Sequence, residues 1–154
     1  MSPYSPGVLF RTTNPGKTGD QARALNQDGS DNTTDKSVSV GQEITVFLTG
    51  HGAVDGLPDD GVAPGSAQPM GGETPRLFIQ LNSTSAVECK DNVASTIDPD
   101  EPGVWRVKCK IPTLPANGTF NLGFWVLYRS MASHLLFAGA TGANANLPLI
   151  TVKQ

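Results

Sequence analysis

Charged residues are scarce in this sequence, and they do not cluster by sign. They make up 16% of 154 residues, and the formal net charge is −3. Binding to a nucleic-acid backbone depends on clustered Lys and Arg. The absence of any basic run therefore argues against a nucleic-acid partner.

Long hydrophobic runs are absent as well. The longest strongly apolar stretch lies around Phe120–Leu127, whereas a membrane-spanning helix needs about 20 apolar residues. The opening segment, MSPYSPGVLF, lacks the basic and apolar regions of a secretory signal. We therefore expect neither a membrane span nor a signal peptide in this sequence.

Helical periodicity is almost missing. No window of three turns places apolar residues at i, i+3, i+4 and i+7. The best helical candidate, GDQARAL, is short and is soon followed by Asn-Gln-Asp-Gly. With 17 Gly and 12 Pro residues, the composition favours an all-β chain with many turns.

Strand patterns, by contrast, are plentiful. EITVFLT and VWRVKCKI alternate apolar and polar residues, which predicts half-buried strands. In TFNLGFWVLYR, every second residue from Phe120 to Tyr128 shares one face, and Trp125 points to the other. RLFIQLN, SAVECK and LPLITVK complete the set. These short strands predict a single domain over residues 1–154, built as a sandwich of two antiparallel sheets.

One connection is unusually long. Residues 51–73 contain six glycines and three prolines and show no strand pattern. A loop of this length within a compact domain is usually functional or mobile.

Oxygen-bearing side chains surround a glycine in the stretch ALNQDGSDN. Asn26, Asp28, Ser30 and Asn32 alternate as the ligands of a calcium loop do, although the terminal bidentate acid is missing. Asp-Gly between two extended runs is also a strong hairpin signal. We predict a metal-free hairpin turn over residues 26–32, with calcium binding near Asp28 as the alternative.

Two further acidic groups lie in predicted loops. They are Asp55, Asp59 and Asp60 in the long loop, and Asp98, Asp100 and Glu101 in IDPDEPG. The prolines of the second group are typical of a turn. We expect solvent-exposed turn acids, and a cation site is the alternative.

Catalytic patterns are not apparent. His51 and His134 are the only histidines, neither stands in a recognisable metal-ligand pattern, and no Gly-x-Ser-x-Gly motif occurs. We predict that the protein is not an enzyme and uses no cofactor and no metal. Because His51 follows the end of a predicted strand, we expect it in an exposed loop.

Trp125 is the aromatic residue that best fits a ligand surface. Aromatic residues in strands usually belong to the core, and the phases of Trp105 and Phe124 agree with that. The opposite phase of Trp125 would allow it to stack on a sugar if it were exposed beside the long loop. The candidate ligand surface predicted here consists of Trp125, His51 and Asp55.

Three segments together resemble a known family. SPGVLFRTTNPGKTGDQARALNQDGSDN, VSVGQEITVFLTGHGAV and GVWRVKCKIPTLPANGTFNLGF are similar to the Solibacter-type C-terminal domain of secreted acidobacterial proteins. The resemblance covers residues 5–55 and 103–127. It implies an immunoglobulin-like β-sandwich that is exported and has no assigned activity.

Cys89 and Cys109 are the only cysteines, and they share the alternation phase of Val87 and Val107. In an exported domain, as the resemblance implies, two cysteines usually pair. We expect a disulfide worth about 3 kcal/mol of stability. The alternative is a pair of free buried thiols.

We therefore expect a non-catalytic extracellular or cell-surface module of a bacterial protein, whose partners are other protein domains or subunits. One alternative is a carbohydrate-binding module that uses Trp125 and the long loop to hold a glycan. Another is a subunit of a surface polymer joined through strand edges. Residues 5–10 and 147–153 are predicted to form backbone ladder hydrogen bonds, either within the chain or to a neighbouring subunit. Lys108 and Lys110 would protect strand 104–111 as an edge.

Overall fold

The fold was analysed in a computed structural model, which describes residues 6–11, 21–52, 62–70, 73–82, 84–133 and 147–154. These residues form twelve strands and no helix, which confirms the all-β prediction. The strands are β1 (Gly7–Val8), β2 (Ala24–Asn26), β3 (Val38–Ser39), β4 (Glu43–Thr49), β5 (Gln68–Pro69), β6 (Arg76–Gln80), β7 (Ala86–Cys89), β8 (Asp91–Ile97), β9 (Val104–Lys110), β10 (Thr119–Tyr128), β11 (Met131–Ala132) and β12 (Leu149–Lys153).

The first sheet is antiparallel and has the order β1-β4-β9-β8-β5, with β2 also paired to β4. Strand β9 pairs along its whole length with β4, from Glu43 opposite Lys110 to Thr49 opposite Val104. Since β8 lies on its other side, β9 is an interior strand. The prediction that Lys108 and Lys110 protect an edge is therefore wrong, because alternation shows which face a strand exposes but not which strands lie beside it.

The second sheet has the order β3-β12-β10-β6-β7, and β11 forms a hairpin with the end of β10. Only the contact between β3 and β12 is parallel among these pairs. In the register of β10 and β6, Trp125 lies opposite Phe78 on the outer face. The inner face of β10 carries the alternate residues, as its apolar periodicity predicts.

The inner faces of the two sheets pack against each other in a sandwich. Trp105 of the first sheet contacts Tyr128 of the second, with ring centroids 5.2 Å apart. Buried apolar residues from both sheets, such as Val107 and Phe124, belong to one continuous core. The predicted disulfide is present: Cys89 of β7 and Cys109 of β9 are bonded across the sandwich, with Cα atoms 6.0 Å apart.

One side of the sandwich is closed by the chain itself. The N–H of Ala22 donates to the carbonyl of Leu149 at 2.8 Å, and this bond joins the β2 side of the first sheet to β12 of the second. The described parts of both terminal segments form ladder bonds within the chain: β1 pairs with β4, and β12 pairs with β10 and β3. The prediction that residues 5–10 and 147–153 form backbone ladder bonds is confirmed for their described residues, and the partner strands lie in the same chain.

Strands β5, β8 and β2 lie where the sequence contains no strand signal. Residues 68–69, within the predicted long loop, pair with Ile97 and Thr96 of β8. Strand β8 itself is mostly polar and contains a bulge at Asn92, whose φ is 54°. Residues 24–26, which overlap the end of the weak helical candidate at residues 19–25, form β2 instead. Pairing with distant residues decides the conformation in each case, and local sequence carries little of that information.

Candidate functional site

The Asp-Gly segment forms the predicted hairpin turn. The N–H of Asn26 donates to the carbonyl of Ser30 at 2.8 Å, and Leu25 bridges Asp31. Gly29 occupies the left-handed region with φ 80°, which a glycine adopts without steric cost. Asp28 accepts bonds from the N–H and the hydroxyl of Ser30, and these bonds lower the pKa of its carboxyl.

Two of the proposed calcium ligands are engaged inside the fold. The side chain of Asn32 is fully buried. Its Nδ2 donates to Asn26 Oδ1 at 2.8 Å and to the carbonyl of Thr151 at 2.9 Å, while its Oδ1 accepts the N–H of Thr151 at 2.8 Å. The Asn32 amide thus completes the ladder along β12. Across the described ranges, no group of three or more His, Cys, Asp or Glu residues is arranged to hold a metal ion.

Asp98 is a buried member of an ion-pair cluster. Its Oδ2 accepts a bond from Arg106 Nε at 2.6 Å, and its Oδ1 accepts the N–H groups of Asp100 and Glu101 at 2.9 and 3.0 Å. Burial by itself would raise the pKa of Asp98, but the Arg106 and backbone bonds outweigh it, so the pKa is lowered. The prediction of a solvent-exposed turn acid is therefore wrong for Asp98, which is only 1% exposed.

Phe47 lies at the centre of the same outer-face cluster. It is only 4% exposed although it occurs on the polar phase of β4. The guanidinium of Arg23 lies 4.4 Å from the ring centroid and that of Arg106 lies 5.1 Å away. Arg23 in turn forms an ion pair with Glu101. Sequence reasoning missed this cluster. The one local sign of it was Phe47, an aromatic residue on the face of β4 that otherwise carries polar residues.

Trp125 is half-buried on the outer face of the second sheet. Its ring stacks on Phe78 with centroids 4.2 Å apart and planes 12° apart. Its Nε1 donates to Gln80 Oε1 at 3.0 Å. The far side of this pair is occupied too, since the Arg76 guanidinium lies 5.0 Å from the Phe78 centroid. One face and the polar atom of Trp125 are therefore already engaged.

His51 and Asp55 are the other two residues of the predicted ligand surface. His51 follows β4 in the first sheet and is partly buried, with Nδ1 lying 2.5 Å from the carbonyl oxygen of Gly52. Asp55, Asp59, Asp60 and His134 fall outside the described residues. Trp125 lies in a strand of the second sheet, whereas His51 follows a strand of the first sheet, and the ligand surface of Trp125, His51 and Asp55 stays a prediction.

The most open strand edge in the described chain is that of β7. Leu81 N–H donates to Ser85 O at 2.8 Å, so this opposing pair is hydrogen-bonded. Because bonded and non-bonded pairs alternate along an antiparallel ladder, Val87 and Cys89 bond to β6, while the N–H and C=O groups of Ala86 and Glu88 point outward. Those outward groups form no backbone bond to any described part of the chain.

The remaining described edges are short or protected. Strand β5 has two residues, one of them Pro69, and β3 also has two. Strand β8 is bulged between Asp91 and Ala94. Strand β7 has four residues without Pro or Lys, and its Glu88 is neutralised by Arg76, whose Nε lies 2.9 Å from Glu88 Oε1. Natural proteins usually guard such edges, so β7 is the best-formed candidate for strand pairing.

A cavity of 460 Å³ opens beside the β6–β7 hairpin. Its lining is mainly apolar and joins the hairpin to the connection between β9 and β10; it consists of Leu81, Asn82, Ser85, Leu114, Pro115, Ala116, Phe120 and Leu122. The hairpin edge and this cavity therefore lie at the same end of the second sheet.

Comparison with protein-family models, curated proteins and solved structures found no match for this chain. A search of the described residues for a helix of membrane-spanning length and apolarity also found none.

Proposed function

We propose that this chain is a non-catalytic extracellular module with an immunoglobulin-like fold that acts as a structural or interaction domain of a secreted or cell-surface protein. The strand order supports the fold. The first sheet reads β1-β4-β9-β8, which corresponds to A-B-E-D of an immunoglobulin domain, and the second reads β12-β10-β6-β7, which corresponds to G-F-C-C′.

The disulfide supports the location. Disulfides persist in oxidising compartments outside the cytosol and are rare where thiols are kept reduced. The bond between Cys89 and Cys109 links the two sheets within the core. An extracellular or cell-surface location is compatible with this bond and with the resemblance to a secreted domain family.

The open edge of β7 is the observation that carries the interaction role. Ala86 and Glu88 present outward donors and acceptors in the spacing that an added strand requires. In this mode of recognition, main-chain bonds supply affinity and neighbouring side chains supply specificity. The partner we propose is a protein domain or subunit that supplies an extended strand, and a second copy of this chain is the simplest case.

The surface-polymer alternative uses the same edge. The described terminal segments satisfy their ladder bonds within the chain, so pairing between subunits is better supported at β7 than at either end. The carbohydrate-binding alternative has weaker support, because Trp125 already stacks on Phe78 and donates its N–H to Gln80.

A proline substitution tests the β7 edge. Proline lacks an N–H, and edge strands tolerate it where that N–H faces solvent. Ala86→Pro removes an outward donor, so the fold and melting temperature should be retained while self-association in sedimentation experiments is lost. Val87→Pro is the matched control: it removes an inward donor to β6 and should destabilise the fold. A wild-type chain that remains monomeric at millimolar concentration would contradict pairing between copies.

A further inference from the structure

The connection between β9 and β10 contains the only Asn-Gly pair in the sequence, Asn117–Gly118. Both residues are exposed and lie in a bend that follows the end of the apolar cavity lining at Ala116. Within the described part of the chain, neither the side-chain amide of Asn117 nor the N–H of Gly118 forms a hydrogen bond. The two groups that could react with each other are therefore both unengaged.

We propose that Asn117 is a site of spontaneous deamidation that alters this end of the sandwich as the protein ages. The backbone nitrogen of Gly118 loses its proton and attacks Cγ of Asn117, forming a new C–N bond. The Cγ–Nδ2 bond breaks, and Nδ2 takes up a proton and leaves as ammonia. Water then opens the resulting succinimide at either carbonyl, giving aspartate or isoaspartate. Water is the only co-reactant, and no group is oxidised or reduced.

The fold also requires glycine at position 118, and a following glycine is what makes the cyclisation of Asn117 fast. Gly118 has φ 133°, and a Cβ at this position would lie 3.3 Å from the ring of Phe120. A larger residue at position 118 would be strained, so the turn retains a neighbour that has no side chain to shield the attacking nitrogen.

Other asparagines provide internal comparisons. Asn92 is followed by Val93, and its Nδ2 donates to Glu43 at 3.3 Å. Asn121 is followed by Leu122, and its Oδ1 accepts the hydroxyl of Thr151 at 2.7 Å. A bulky following residue and an engaged side chain both hinder cyclisation. Asn117 has neither form of protection.

The turn also holds the end of the β12 segment. Gly118 O accepts the N–H of Gln154 at 2.9 Å, and Gln154 Oε1 accepts the N–H of Leu114 at 2.8 Å. Isoaspartate adds a backbone carbon just before Gly118 and places a carboxylate beside the apolar cavity. The added carbon displaces Gly118 O. The bonds of Gln154 to Gly118 and of Leu114 to Gln154, together called the clasp below, should therefore both weaken.

Ageing of the purified full chain tests the reaction. Peptide mapping should find aspartate and isoaspartate at position 117, formed faster at mildly alkaline than at mildly acidic pH because the attacking nitrogen must lose a proton. The peptides that contain Asn92 and Asn121 should remain unmodified, and Asn117→Gln should remove the products. If position 117 stays intact while a synthetic Pro-Ala-Asn-Gly-Thr-Phe peptide converts under the same conditions, the proposal is overturned.

Hydrogen exchange tests the effect on the clasp. Exchange at Leu114 and Gln154 should be faster in the isoaspartate form than in fresh protein. Asn117→Asp carries the same charge on a normal backbone and should exchange like fresh protein. Equal exchange in the aged form and in fresh protein would show that the added backbone carbon does not disturb the clasp, contrary to the proposal.

Discussion

Asp98 shows how one carboxylate can join a turn to a strand. It accepts two backbone N–H groups of its own turn and one guanidinium bond from Arg106 in β9. Such charge-assisted bonds are stronger than neutral ones. A buried donor that loses its acceptor costs about 1–3 kcal/mol, so this side chain should matter more than its location in a turn suggests.

Asp98→Asn should lower the free energy of unfolding at neutral pH by about 2 kcal/mol, because Arg106 loses its charged partner. The effect should depend on pH. Folding lowers the pKa of Asp98, so its stabilisation is fully present above the unfolded value of about 3.9. It is then lost as the pH falls through the lower folded-state value. Urea unfolding at neutral and acidic pH measures both quantities.

Asp100 provides the control for this experiment. Its side chain is exposed and forms no bond to another described residue. Asp100→Asn should therefore keep the acid dependence of the wild type, whereas Asp98→Asn should flatten it. If both variants lose stability with acid as steeply as the wild type, the Asp98 ion pair does not stabilise the fold in this way.

Strand β10 contains a glycine because another segment lies directly against its backbone. A Cβ at Gly123 would come within 2.7 Å of Leu147 Cδ1 and 3.0 Å of Leu147 Cβ. Leu147 is itself buried, and the carbonyl of Pro148 accepts the N–H of Phe124 at 2.8 Å. The approach of residues 147–148 to β10 therefore excludes a side chain at position 123.

Gly123→Ala should lower the free energy of unfolding by about 1–3 kcal/mol, because overpacking forces neighbouring atoms to move. Leu147→Ala removes the nearest clashing atom. The double variant should then lose less stability than the sum of the two single variants, because residues in contact are coupled. Urea unfolding of the wild type, the two single variants and the double variant gives this coupling energy. Strict additivity would contradict the close approach.

The six strands that the sequence predicted are present. EITVFLT, RLFIQLN, VWRVKCKI and TFNLGFWVLYR alternate and correspond to β4, β6, β9 and β10, while SAVECK and LPLITVK contain β7 and β12. The two-residue strand β5 and the polar strand β8 have no such pattern, since their conformation depends on partners far away in sequence.

The same distinction applies to the candidate site. The turn at 26–32 could be predicted because turn chemistry depends on residue type. The disulfide could be expected from the shared phase of the two cysteines together with the resemblance to an exported family. The cluster of Arg23, Phe47, Asp98 and Arg106 could not. Those residues meet only because β2 and β9 both pair with β4, and β8 ends beside the start of β9. Neighbours in a sheet are a property of topology, which one sequence specifies only indirectly.

For the whole molecule, the disulfide is the one covalent cross-link between side chains of the two sheets in the described structure. Both cysteines are fully buried, and they are separated by 20 residues in sequence. A link of this kind stabilises chiefly by restricting the unfolded chain.

Replacing both cysteines with alanine should lower the free energy of unfolding by about 3 kcal/mol, measured as a lower urea midpoint. Cys89→Ala and Cys109→Ala alone should each cost nearly as much, since either substitution breaks the bond. Two single effects that add up to the double effect would indicate packing losses at two independent positions instead of loss of one shared bond.

The hydrogen bonds between Asn32 and Thr151 can form only after the last strand of the described chain has been synthesised. They join residues 119 positions apart, and β12 lies between β3 and β10 in the second sheet. Non-local pairing of this kind folds slowly, and a nascent chain emerges amino end first. The second sheet therefore cannot be completed until residues 149–153 are available, so we expect the final folding step to follow synthesis of β12.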